Sequence, residues 1–206
     1  MTVTEERSAD SSPESAVEAR PVAGFIGAEI SGVDLRSELS AAEVADIRAA
    51  LLRHKVLFFR DQHIGPEQQV AFGRRFAEVT PAHPTLPPLD GHPEVLVIGA
   101  DLYNSSDDGD EEAGSAGFGG FLENHWHTDV TFVHNPPLGS ILRAVEVPPY
   151  GGDTGFASLV AAYEGLSQPI RDLIDGLHAV HRNELHVELG NPKALELRAA
   201  FTSSPY

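Results

Sequence analysis

The chain has 206 residues, 41% of them hydrophobic, with 10 histidines, no cysteine and a formal net charge of −17. That length predicts one domain with a full core. The lack of cysteine excludes disulfides, thiolate-bound zinc and iron–sulfur clusters, so any metal must be held by His and carboxylate. The acidic balance argues against nucleic acid and anionic membranes as partners. No apolar run approaches the roughly 18 residues of a membrane span, and the N-terminus lacks the basic-then-apolar form of a signal peptide. Together these features suit a cytoplasmic protein.

Residues 1–20 are polar, acidic and without periodicity, and read as a disordered tail. From "VAGFIGAEISGVDL" onwards short β-prone pieces are broken by Gly27 and Gly32. "LSAAEVADIRAALLRHK" predicts a helix. Ser40 and Glu43 form a capping box, Val44, Ile47 and Leu51 share a face, and Arg53, His54 and Lys55 sit where the helix dipole favours cations. "VLFFR" reads as a buried strand, and a second helix starts with Pro66 in its first turn and runs through Val70, Phe72 and Phe76. "EVLVI", Glu94 to Ile98, reads as another strand. Residues 99–122 are rich in Gly, Ser and acid, and form a long loop, either a mobile lid or a solvated insertion. "LGSILRAVEV" reads as a strand, and "YGGDTGF" as a turn into another. "LVAAYEGL" and "QPIRDLIDGL" form a helical pair, "HAVHRNEL" is strand-like, and a last helix lies near "PKALELRAAF". A β-rich middle without regular strand–helix alternation predicts an α+β fold built on an antiparallel sandwich or barrel.

The chemistry concentrates in "ENHWHTDVTF", residues 123–132. In a strand, residues two apart point the same way, so His127 and Asp129 would present an imidazole and a carboxylate from one wall. Such a pair makes two corners of a 2-His-1-carboxylate iron site, which leaves positions open for other ligands. A lone H-x-D is also common by chance, usually as surface residues or a His held by its neighbouring acid. His125 shares the strand parity. At about 3.3 Å per residue, however, it lies roughly 13 Å along the strand from Asp129, too far for one ion without a bend.

"WHTDVTF", "NPPLGSILRAVEVPPYGGDT" and "AAYEGLS" resemble the taurine dioxygenase (TauD/TfdA) family of Fe(II)- and 2-oxoglutarate-dependent dioxygenases. Within it they look most like the alkylsulfonate and alkylsulfate-ester dioxygenases. "IGAEISGVDL", "IRAALLRHKVLFFRDQ" and "FGRRF" match the family's N-terminal pattern in the same order. The resemblance implies a double-stranded β-helix, a jelly-roll or cupin-like barrel with flanking helices. It also implies Fe(II), with 2-oxoglutarate and O2 as cosubstrates. The expected reaction hydroxylates the carbon next to a sulfonate or sulfate ester and releases sulfite or sulfate with an aldehyde or ketone, alongside succinate and CO2. Residue by residue, His127 and Asp129 match the first two iron ligands, and Thr154 matches a hydroxyl that bonds 2-oxoglutarate. His83 in "PAHP" matches a histidine that contacts the substrate sulfonate. Without the resemblance Thr154 would read as a turn threonine after Gly151 and Gly152, and His83 as a loop histidine beside Pro84. Leu86 and Glu123 stand where the family has a tyrosine and an asparagine, which puts taurine itself in doubt as substrate. Family members often self-associate, so a homo-oligomer is compatible with the resemblance.

By the resemblance residues 21–206 correspond to the N-terminal two-thirds of the family domain, with 99–122 as an insertion. The family's second iron-binding His and its 2-oxoglutarate-anchoring Arg lie further downstream than this sequence reaches, leaving the barrel incomplete at the C-terminus. His178 and His181 are the local histidines that could substitute, as a weak pair if helical. Two expectations follow. Either the activity belongs to an intact protein of which these residues are part, this chain alone being inactive, or the chain is a non-catalytic remnant with at most weak metal binding.

Overall fold

The computed structural model describes residues 16–82, 88–98, 126–133, 135–151 and 153–181. The chain divides into two bodies, one formed by residues 1–76 and 144–177, the other by residues 77–143 and 178–206.

The first body is organised by glycine placement. Strand β1 (Glu18–Pro21) pairs antiparallel with β2 (Ala28–Ser31), which is bounded by Gly27 and Gly32. Both glycines have positive φ, +93° and +79°, a region closed to most side chains. At Gly32 an added Cβ would stand 1.9 Å from the carbonyl oxygen of Ala16, so the turn needs hydrogen there on steric grounds as well. Helix α1 (Ala41–His54) follows, then β3 (Leu57–Phe59), which pairs parallel with β2. A parallel pair requires a crossover, and α1 provides it. The sheet order is β1-β2-β3. Arg20 and Glu29 are directly opposed on β1 and β2 and form an ion pair at 2.6 Å.

Helix α1 starts as its sequence predicts. The Ser40 hydroxyl accepts from the Glu43 amide at 3.2 Å, and the Glu43 carboxylate accepts from the Ser40 amide at 2.7 Å. That second bond holds the Glu43 carboxyl below its ordinary range. Ile47, 2% exposed, projects from α1 into a core with Leu35 and Leu39, and Val44, Leu57, Phe59 and Phe72 pack against it. Helix α2 (Pro66–Arg74) adds an edge-to-face aromatic chain, with ring centroids 5.5 Å apart for Phe59–Phe72 and 5.1 Å for Phe72–Phe76. Gln62 clamps the loop before α1. Its side-chain oxygen accepts from the Leu35 amide at 2.8 Å, while its amide donates to the carbonyls of Val33 and Arg60 at 3.3 and 3.1 Å. The helical pair is present as α3 (Leu159–Glu164) and α4 (Gln168–Ile174), tied by Tyr163 Oη donating to Asp175 at 2.5 Å.

Several expectations need correction. β1 begins inside the stretch read as a disordered tail, because β2 offers residues 18–20 a hydrogen-bonding partner that composition cannot show. β3 is half-buried rather than buried. Among the described residues no strand forms at 94–98, 126–133, 138–147 or 178–181. A strand needs a neighbour for its backbone groups, and the only sheet among them is β1-β2-β3. The chain instead turns through residues 90–94, with the Leu89 amide donating to the Val95 carbonyl at 2.7 Å, and is irregular over 95–98. The described sheet is thus mixed rather than antiparallel, and no barrel is built from it. The loop 99–122 and the helix near residue 192 lie outside the described residues. Among those described, no helix is long and apolar enough to cross a membrane.

Three outcomes follow for the first body. Ile47→Ala should cost about 2–5 kcal/mol in urea unfolding, and Gln62→Ala about 1–3 kcal/mol through the orphaned Leu35 amide. The Asp34 carboxyl, held by the Arg36 side chain and backbone amide, has its pKa lowered from 3.8 to about 2. A carboxyl with a depressed folded-state pKa stabilises fully above its unfolded value, and that contribution is lost as pH falls through about 2. An NMR titration should find the Asp34 midpoint near 2, and Arg36→Ala should return it towards 3.8.

Candidate metal centre

The candidate site lies in the second body, on a turn. Trp126, His127 and Thr128 are irregular, and the chain then turns through Asp129–Phe132. Val130 has φ +50°, an unusual conformation for a β-branched residue and a mark of local backbone strain. The turn does what strand alternation was expected to do. His127 Nε2 and Asp129 Oδ1 lie 3.2 Å apart, with side chains 59% and 55% exposed.

Two neighbours brace this turn. The Ser140 hydroxyl donates to Asp129 Oδ2 at 2.9 Å, leaving Oδ1 to face His127. His181 Nδ1 meets the Thr131 hydroxyl at 2.9 Å, joining two segments of the second body that are 50 residues apart in sequence. Ser140 carries no signal in the sequence beyond being a hydroxyl past the "NPP" turn, and only the folded geometry reveals its partner.

The donor set fits a first-row divalent metal. Bonds of about 2.0–2.2 Å to a nitrogen and an oxygen at right angles place those donors about 3 Å apart, close to the observed 3.2 Å. Without a metal the same approach is a His–Asp ion pair when the imidazole is protonated. No group of three or more His, Asp or Glu placed to hold a metal occurs among the described residues, so neither His178 nor His181 completes the pair there. Thr154 is exposed and belongs to the first body, in the stretch leading into α3. His83, Leu86, Glu123 and His125 lie outside the described residues.

The family model for the taurine catabolism dioxygenases, TauD and TfdA family, matches residues 18–205. An alpha-ketoglutarate-dependent sulfate ester dioxygenase of Pseudomonas putida is 43% identical over 196 residues, which is 92% of this chain and 59% of that protein. An alkylsulfatase of Acinetobacter baylyi is 39% identical over 94% of this chain and 57% of its own length. The crystal structure of a taurine dioxygenase from Burkholderia xenovorans superimposes with a TM-score of 0.64 at 43% identity, covering 82% of this chain and 54% of that one. The chain thus spans less than two-thirds of the length of each of these relatives. With that span of matched residues, the chain belongs to the TauD/TfdA family of dioxygenases.

Proposed function

We propose that His127 and Asp129 are two of the protein ligands of an Fe(II) centre in a 2-oxoglutarate-dependent dioxygenase acting on alkyl sulfate esters or organosulfonates. The observation that carries this reading is the 3.2 Å approach of His127 Nε2 to Asp129 Oδ1 on the turn. It is supported by relatives whose names specify sulfate ester and sulfonate dioxygenases. The jelly-roll barrel belongs to the same proposal and rests on the likeness to the taurine dioxygenase structure.

Each residue has a part to play. His127 supplies a nitrogen and Asp129 an oxygen, hard enough donors for Fe(II) and few enough to leave positions for the small molecules. Thr154 donates its hydroxyl to a carboxylate oxygen of 2-oxoglutarate, a charge-assisted bond that orients the cosubstrate. His83 contacts the substrate's anionic oxygens and holds the adjacent carbon near the metal, where position alone is worth much of the rate. When bound, the iron supplies the O2 chemistry that couples decarboxylation of 2-oxoglutarate to succinate and CO2 with hydroxylation of that carbon. The hydroxylated product then breaks its C–O bond to sulfate, or its C–S bond to sulfite. The hydroxyl proton is lost, and an aldehyde or ketone remains.

This reading further requires a second metal-binding His and an Arg that anchors the cosubstrate carboxylate. Mixed with Fe(II) and 2-oxoglutarate without oxygen, the 206-residue chain should give little or no visible charge-transfer band. A version continued through the family's His- and Arg-bearing region should give it, and His127→Ala or Asp129→Ala in that version should abolish it. A band that survives either substitution contradicts the ligand assignment. An absent band in the continued version would leave the non-catalytic reading.

A further inference from the structure

Asp129 is held by more than its place on the turn. Its two oxygens have different partners, Oδ2 accepting from the Ser140 hydroxyl at 2.9 Å and Oδ1 facing His127 Nε2 at 3.2 Å. A carboxylate on a short side chain rotates about a broad, two-fold terminal torsion. Free of other bonds, it can present either oxygen, or both, to a cation. We infer that Ser140 is a positioning residue that fixes the Asp129 carboxylate and restricts it to one metal-binding oxygen.

The consequence is chemical. An ionised carboxylate only accepts hydrogen bonds, and a serine hydroxyl has one proton to give, so the contact has a defined direction. With Oδ2 occupied, Asp129 takes one coordination position rather than two. The position spared is one that an exogenous ligand can use. Groups that hydrogen-bond a metal ligand typically change affinity by about 10–100-fold when removed, because the ligand must then be ordered on binding. Ser140 reaches Asp129 from 11 residues further along the chain, so it couples the segment after Asn135 to the metal turn.

This inference rests on the metal pair proposed above, and the test separates the two. Mn(II) is titrated into the full chain, and binding is followed by paramagnetic broadening of the His127 imidazole signals. Ser140→Ala should weaken Mn(II) binding at His127 by about tenfold or more. Ser140→Thr, which keeps the hydroxyl, should stay within about threefold of the unaltered chain, well short of that loss. Ser140→Cys, close in volume but a poor donor, should resemble the alanine variant and guards against a packing artefact. In an Asp129→Ala background, Ser140→Ala should have no further effect. Equal affinity of the Ser140→Ala and unaltered chains overturns the inference, as does an undiminished effect in the Asp129→Ala background. No broadening of His127 in the unaltered chain overturns the metal pair itself, and this inference with it.

Discussion

The second body turns on how one carboxylate divides its oxygens. Asp129 receives a hydroxyl on Oδ2 and faces an imidazole with Oδ1, so a single short side chain links the turn to the segment that follows it. Both groups are more than half exposed. As a bare ion pair they would add little to stability, since water screens the attraction and two side chains must be ordered. The proposed metal role would give the strained turn at Val130 a use that the ion pair alone does not supply. The donors are spaced as a first-row metal would need them.

The first body is built on different terms, with steric and apolar constraints doing the work. Gly27 and Gly32 delimit β2, the Ser40–Glu43 box starts α1, and Ile47 anchors that helix over Leu35 and Leu39. Gln62 completes the arrangement by bonding backbone on both sides of the turn between Val33 and Leu35. Its amide supplies donor and acceptor at once, which an acid or an aliphatic side chain of the same length could not do.

Local signals were readable where local rules decide. Capping, glycine turns and the 3.6-residue period placed α1, α2 and the α3–α4 pair, and Gly27 and Gly32 marked the ends of β2. The strands expected at 94–98 and 138–147 do not form, because alternation and β-propensity describe a residue's fitness for a sheet, not the presence of a neighbour to pair with. β1 failed in the opposite sense: polar, acidic residues became a strand because β2 was there to receive them. At the candidate site the residue types and spacing of His127 and Asp129 were legible. The geometry that brings them together was not, because a turn containing a left-handed Val130 replaces the expected strand. Ser140 was invisible for the same reason, since a hydrogen bond across 11 residues follows from the path of the chain between.

The most direct measurement is the position of a bound metal. Crystals of the chain soaked in Mn(II) and measured for anomalous scattering should show a peak about 2.0–2.3 Å from both His127 Nε2 and Asp129 Oδ1, with Oδ2 still bonded to Ser140. A fully occupied peak elsewhere on the chain, with His127 and Asp129 left in direct contact, would contradict the assignment of this turn as a metal site.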